Sequence, residues 1–408
     1  MNNKNNNILK VIIIILAVIL VSEILYFGIK FYHNRKISTF YTVVSSVVLD
    51  NDNTFVGAGF SDYRHSKFNK FDKGYDKATL FEIKNGKTVK EMGLKLGLNS
   101  RFNDLIEVKD GYVAVGKIEM SEDQQKEGIT EGLIAKFDKN FKLVWRKNVS
   151  ILEKTELYKV KLDGNDLVIV GTSVYSDGYV GNHTTGGGIL LKYSLDGKQQ
   201  LKVNNGGPYS GSFNDVLIEK DHYIVVGLGR KNSGIIIKYD KNGNRIKTGS
   251  FGYTDKNGIN AVAKKGNNYI TATTKVVDTK NLSNYSAAIV EFNSNLEKID
   301  DIKYTNDKIT YFNDIKVDKD GNVFVCGYTG HGKEKEVLTD GIVVKYDKDL
   351  YEKSYDVLKG KKNDFYSRIY LKDNSIYLLG YSNSKLKEFK TNGYDYYPVL
   401  KKYNNNLK

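Results

Sequence analysis

Two stretches of the chain interleave aromatic rings with cations. Residues 58–78 carry Tyr63, Phe68, Phe71 and Tyr75 among Arg64, Lys67, Lys70, Lys73 and Lys77, and residues 381–396 carry Lys385, Lys387, Phe389, Lys390, Tyr394 and Tyr396. Such side chains stack on sugar rings or bases and hold anionic groups. The expected ligand-binding set is therefore Tyr63, Arg64, Phe68, Phe71, Tyr75, Lys385, Lys387, Phe389, Tyr394 and Tyr396. The competing reading is a solvated Lys/Tyr-rich loop, because aromatics make up 12% of the chain. A second constellation is Phe-Asn-Asp at 102–104, 213–215 and 312–314, with Ile-Asn-Ala at 259–261. Asn103, Asp104, Asn214, Asp215, Asn260, Asn313 and Asp314 are expected at the mouth of a central channel. Carboxylates gathered there would suit a cation; used locally, Asn and Asp cap backbone groups, and recurrence in several copies of a repeat favours that use.

Other chemistry finds no pattern. The five histidines, His33, His65, His183, His222 and His331, show no metal-ligand spacing. DKNGN at 240–244 and DKDGN at 318–322 begin like calcium loops, but no Glu follows at the required position, and both sit between apolar runs as hairpin turns do. No nucleophile elbow or phosphate loop is present. The one cysteine, Cys326, lies in the apolar run VFVCG and reads as a small core residue. No catalytic residue, metal site or cofactor is expected.

The elements that must position these residues recur. Residues 312–350 read as three strands, FNDIKV, VFVCG and GIVVKYD, separated by DKDGN and a polar loop. The residue closing the second strand is Gly57, Gly116, Gly171, Gly227, Thr273, Gly327 and Gly380, at intervals of 59, 55, 56, 46, 54 and 53. The aromatic closing the third is Phe81, Phe137, Tyr193, Tyr239, Phe292, Tyr346 and Tyr403, at intervals of 56, 56, 46, 53, 54 and 57. A fourth strand such as RIKTGSF at 245–251 follows most of these. Seven copies of about fifty residues and four strands predict an all-β, seven-bladed β-propeller, in which each small sheet covers its neighbour's apolar face.

VDKDGNVFVCGYTG followed by DGIVVKYDKD resembles the bacterial β-propeller repeat (SBBP type) of cell-surface and secreted proteins, and NNGGPYSGSFND at 204–215 resembles its Gly-rich blade entry. The resemblance spans roughly residues 40–403 and implies a surface location; propellers host many activities, so it implies little about function. LIAKFDKNFKLVW at 133–145 looks more faintly like a quinoprotein-type propeller strand, a resemblance that would imply a Trp in most blades. The chain has only Trp145.

The net charge of +14 suits anionic surroundings, yet the lysines scatter through every blade rather than forming a stripe. Residues 8–29, ILKVIIIILAVILVSEILYFGI, are long enough as a helix to cross a bilayer. No small-x-small cleavage site follows Val21, so an uncleaved signal anchor is expected over 8–31, after a polar tail at 1–7 and before a linker at 32–36. Flanking positive charge does not orient it; a single span followed by one translocatable domain places residues 37–408 outside the cytoplasm.

The last copy lacks a fourth strand, and ISTFYT at 37–42 precedes the first copy without a blade of its own. The expectation is that 37–42 completes the seventh blade. The second-to-third connections are long and share one face, which is then expected to point away from the membrane and to bind. The sequence thus reads as a single-pass, membrane-anchored binding or scaffold module for an anionic polymer, glycan or surface protein, with nucleic acid not expected as partner. The alternatives are an enzyme acting on extracellular glycans, a cofactor-dependent oxidoreductase, and an assembly factor for a membrane complex.

Overall fold

The computed structural model describes residues 41–51, 54–63, 75–84, 87–94, 97–175, 186–205, 211–229, 233–252, 258–276, 285–304, 309–331, 338–384 and 397–408. They form seven antiparallel sheets. Blade 1 is β1 (Tyr41–Asn51), β2 (Thr54–Tyr63), β3 (Tyr75–Lys84) and β4 (Lys87–Gly93). Blade 2 is β5 (Asn99–Val108), β6 (Gly111–Glu119), β7 (Glu131–Asp138) and β8 (Leu143–Val149). Blade 3 is β9 (Lys154–Asp163), β10 (Asp166–Val174), β11 (Gly187–Ser194) and β12 (Gln199–Asn204). Blade 4 is β13 (Ser212–Ile218), β14 (His222–Leu228), β15 (Gly234–Asp240) and β16 (Arg245–Phe251). Blade 5 is β17 (Gly258–Lys265), β18 (Asn268–Val276), β19 (Tyr285–Phe292) and β20 (Lys298–Lys303). Blade 6 is β21 (Thr310–Val317), β22 (Val323–His331), β23 (Leu338–Tyr346) and β24 (Glu352–Leu358). Blade 7 is β25 (Asp364–Lys372), β26 (Ser375–Ser382) and β27 (Tyr397–Asn404), three strands among the described residues.

The first strand of each blade touches the first strand of the next, and β25 touches β1, so the seven sheets close a ring around an axis. Alternation explains the packing. Along β6 and β10 nearly every residue is buried, because each sheet is covered on both faces by its neighbours. Seven apolar clusters fill seven seams. The seam between blades 5 and 6 holds Ile289, Tyr304, Phe312, Val325 and Tyr346 among fifteen buried residues. Among the described residues, the seam between blades 7 and 1 buries Val44, Val47, Phe55, Phe81, Ile83, Tyr377 and Leu379.

The tight turns form as the sequence predicts. Asp318 Oδ1 accepts the Asp320 and Asn322 N–H groups at 2.9 Å each, and Gly321 takes φ +85°. Asp240 does the same for Asn242 and Asn244, at 2.9 and 2.7 Å. These carboxylates are occupied by their own turns. The second-to-third connections all leave the opposite face. In blade 2 that connection contains α1 (Glu122–Glu127), capped by Ser121 and ended by Gly128 at φ +68°.

Three expectations change. First, the blade 1 markers shift by two. Gly59, not Gly57, faces the pre-bulge residue Val44, and Ile83, not Phe81, stands at the end of β3 opposite Phe55. A two-residue shift keeps every side chain on its own face, so alternation alone does not distinguish the registers. Second, the first long loop is shorter than 58–78: β2 and β3 stay paired out to Tyr63 opposite Tyr75. Third, Tyr41 and Thr42 belong to β1, opposite Asp62 and Ser61, in the innermost strand of blade 1 rather than the outer strand of blade 7. Residues 37–40, the expected anchor at 8–31 and the linker at 32–36 lie outside the described residues. Among the described residues no helix is long and apolar enough to cross a membrane.

Candidate functional site at the channel mouth

The expected loop residues Arg64, Phe68, Phe71, Lys385, Lys387, Phe389, Tyr394 and Tyr396 lie outside the described residues; Tyr63 and Tyr75 are placed as strand ends only. The Asn-Asp residues are all placed, and their local cause is a β-bulge. In β5, β13, β17 and β21 the pairing skips Asn103, Asn214, Asn260 and Asn313, and the first strands of blades 1, 3 and 7 skip Ser45, Tyr158 and Ser367 at the same level. The bulge turns the side chain toward the next blade. Its companion is the glycine of the second strand: a Cβ on Gly116 would sit 1.8 Å from the Arg101 carbonyl oxygen, and one on Gly327 equally close to that of Tyr311. Only a residue without a side chain lets the backbones approach so closely.

The turned-out groups staple neighbouring blades. Asn103 Nδ2 donates to Leu157 O at 2.8 Å, Asn214 Nδ2 to Ile259 O at 2.9 Å, Asn260 Nδ2 to Phe312 O at 2.8 Å and Asn313 Nδ2 to Tyr366 O at 2.7 Å. The adjacent aspartates take the N–H three residues further along the same partner strand. Asp104 Oδ2 accepts from Val160 at 2.9 Å, Asp215 Oδ2 from Val262 at 3.1 Å and Asp314 Oδ2 from Ile369 at 3.0 Å. Each carboxylate also has a cation: Arg368 on Asp104 (3.1 Å), Lys161 on Asp215 (3.0 Å) and Lys316 on Asp314 (2.9 Å). Three buried negative charges from blades 2, 4 and 6 thus meet three positive ones. Burial pushes the Asp314 carboxyl above the ordinary carboxylate range, and the Lys316 ammonium pulls against it. Among the described residues no cluster of His, Cys, Asp or Glu has the arrangement of a metal site. Cys326, wholly buried behind this ring, has its thiol pushed well up by burial.

One residue nearer the long-loop face, the first two strands of every blade present a facing pair. These pairs are Val43 with Phe60, Arg101 with Lys117, Glu156 with Thr172, Ser212 with Leu228, Gly258 with Thr274, Tyr311 with Tyr328, and Phe365 with Tyr381. The mouth is therefore uneven. On blades 6 and 7 four half-buried rings form a row: Tyr311 stacks on Tyr328 at 5.3 Å, Tyr328 meets Phe365 edge-on at 5.1 Å, and Phe365 lies 4.8 Å from Tyr381. The Tyr311 hydroxyl donates to Asn260 Oδ1 at 3.0 Å. On blades 2 and 3 the pairs carry charge. Arg101 lies over Phe60 at 4.5 Å and bonds Asp76, with Nε to Oδ2 at 2.5 Å. Asn99 donates to Glu119 at 2.6 Å, and Glu156 takes Asn103 at 3.0 Å and faces Lys117 at 3.4 Å. Asp76, Asn99, Ser100, Arg101, Lys117 and Glu119 line a cleft of about 260 Å³. Among the described residues of this cleft and its rim, three carboxylates, Asp76, Glu119 and Glu156, stand against Arg101 and Lys117. Small residues at blades 4 and 5 separate the two sides.

The sequence reading missed these mouth residues because none belongs to a motif. The signal was present one column beside the repeat markers, in the residue before each first-strand Phe and the residue after each second-strand Gly.

No protein-family model matches the sequence, and no curated protein does. Solved structures do. The lignostilbene dioxygenase of Pseudomonas brassicacearum is similar at a TM-score of 0.50 and 10% identity, over 90% of this chain and 89% of that one. The acylaminoacyl peptidase of Pyrococcus horikoshii gives 0.44 and 11%, over 85% of this chain and 50% of that one, so this chain spans half the peptidase's length. The β-propeller domain of the Trilobed protease from Pyrococcus furiosus gives 0.41 and 10%, over 84% and 91%. At such identities the likeness concerns the fold alone.

Proposed function

We propose that this protein is a membrane-anchored binding module whose seven-bladed ring, held outside the cytoplasm by residues 8–29, recognises a surface glycan at the long-loop mouth. The resemblance to the SBBP-type surface repeat and the length of that apolar stretch support the location. The observation that carries the ligand is the uneven mouth. Half-buried aromatic rings offer their faces to the apolar C–H side of a sugar ring, and across the small-residue gap the planar amide, carboxylate and guanidinium groups of Asn99, Asp76, Glu119 and Arg101 match a hydroxyl-rich ligand. Because carboxylates outnumber cations among the described residues there, a neutral or amine-bearing sugar chain fits better than the anionic polymer suggested by total charge. The enzyme and assembly-factor readings have no comparable arrangement among the described residues.

The test is a binding screen of the full chain in detergent against neutral, amino-sugar and polyanionic polysaccharides at two salt concentrations. Neutral or amine-bearing glycans should bind, and Tyr328→Ala should weaken binding about tenfold, or ~1.4 kcal/mol. Binding confined to polyanions, abolished by salt and untouched by Tyr328→Ala, would overturn the reading.

A further inference from the structure

Just past each bulge, the first strand of a blade aims one side chain at the axis. Asp104 faces Val115 at that level, Asp215 faces Val226 and Asp314 faces Cys326. Arg368 faces Leu379 there, and Lys159 faces Val170. Lys159 has no place in the ion pairs described above. It is only 6% exposed, yet its ammonium makes no hydrogen bond and no ion pair among the described residues. Lysine is almost never enclosed in this way unless it is paired, because an uncompensated charge is costly to bury.

The neighbouring carboxylates do not serve it, since each is already engaged by three donors. Asp104 takes the Ser46 hydroxyl, the Val160 N–H and Arg368. Asp215 takes the N–H groups of Val216 and Val262 and the Lys161 ammonium. Asp314 takes those of Ile315 and Ile369 and the Lys316 ammonium. At the axis, then, Asp104, Asp215 and Asp314 stand against four cations: Arg368, Lys161, Lys316 and Lys159. One negative charge is short. A second donor is also left over. Arg368 Nε is buried without an acceptor, although Nη2 of the same guanidinium reaches Asp104. Both donors are anchored at that one carboxylate, whose Oδ1 takes Arg368 and whose Oδ2 takes the N–H of the residue following Lys159. The lumen is open beside them. Lys161 and Lys316, two residues nearer the tight-turn face than this level, keep 31% and 38% of their side-chain surface exposed.

We infer that the axis of the ring is a binding site for one small monovalent anion of halide type, held by the Lys159 ammonium and Arg368 Nε. A single charge closes the balance, and a doubly charged phosphate or sulfate overshoots it. Lys161 and Lys316 line the way in from the tight-turn face and draw anions toward the axis. Loss of the Lys159 proton is the other way to remove the surplus. The carboxylates act against that loss. At Lys316 burial disfavours the charge, but Asp314 and Asp215 outweigh it and raise the ammonium above its ordinary range. The site lies beneath the mouth and does not rest on the glycan reading.

The test is thermal unfolding of the full chain in detergent, at constant ionic strength, with gluconate replaced stepwise by chloride or bromide. Either halide should raise the midpoint saturably, by roughly 3 °C at full occupancy. Lys159→Met should abolish the shift and be no less stable than the unsubstituted chain in gluconate, since the surplus charge is gone. Lys348→Met, at a lysine with 71% of its side chain exposed, should keep the shift. Crystals of the unsubstituted chain grown in bromide give a readout that needs no variant, and anomalous signal should appear on the axis beside Lys159. No halide dependence, as a neutral Lys159 would give, an equal shift in Lys159→Met, or bromide signal absent from the axis would each overturn the proposal.

Discussion

The seams on either side of the ring are built by different physics. Between blades 5 and 6, fifteen buried apolar residues interlock, with Phe312 at 5.6 Å from Tyr304, and Asn260 adds a polar staple at the mouth. Between blades 7 and 1 the described residues supply seven buried apolar ones, and polar contacts join in. There the Tyr370 hydroxyl donates to the Val47 carbonyl; beside it Ser46 of blade 1 donates to Asp104 of blade 2 at 2.7 Å, and Arg368 of blade 7 reaches past blade 1 to the same carboxylate. Consecutive blades bring their apolar faces together through a short connection. The first and last blades have no such connection among the described residues, and side-chain contacts such as Tyr370 to Val47 help hold them.

That difference can be probed from its strongest side. Phe312→Ala should lower stability by about 4 kcal/mol, read from the denaturant midpoint, because a large side chain leaves a cavity in a seam that cannot collapse. A loss below about 1 kcal/mol would mean that the broad seam is not the stronger one. At the polar join that runs from blade 7 past blade 1 to blade 2, Asp104→Asn should cost about 3 kcal/mol by leaving the enclosed Arg368 guanidinium without its counter-charge. The loss should appear first as faster amide exchange in β1 and β25, and adding Arg368→Met should recover much of it. Exchange rising equally in all seven blades would erase the distinction.

The smallest effect tests a third seam. His222 Nε2 lies 3.1 Å from the Tyr269 hydroxyl, joining blades 4 and 5. Burial, with Lys238 nearby, holds the imidazole below its ordinary 6.5. The unfolded chain therefore takes up the proton first as pH falls, so stability should decline on acidification from about pH 6.5. His222→Gln should flatten that slope without affecting the seam between blades 7 and 1; an unchanged slope would remove His222 from the account.

How far the fold was legible follows from which interactions are local. DKDGN and DKNGN announce their turns because one Asp binds the N–H groups of the next residues, whatever surrounds them. The Phe-Asn-Asp motif announced recurrence, but nothing local says that its Asn reaches the following blade. Blade 1 slipped by two because Gly57 and Gly59 lie on the same face. Tyr311, Tyr328, Phe365 and Tyr381 carried no motif, since Tyr328 and Phe365, on different blades, meet only after two sheets are packed.

By itself, then, the order of residues determined seven sheets, their turns and the face that carries long connections, because alternation, glycine placement and turn chemistry act within a few residues. Only the closed ring decided which side chains meet at the axis. The reach of Arg368 to Asp104 and of Lys161 to Asp215, and the opposition of an aromatic to a charged rim, arise between different blades, where sequence spacing says nothing about distance in space.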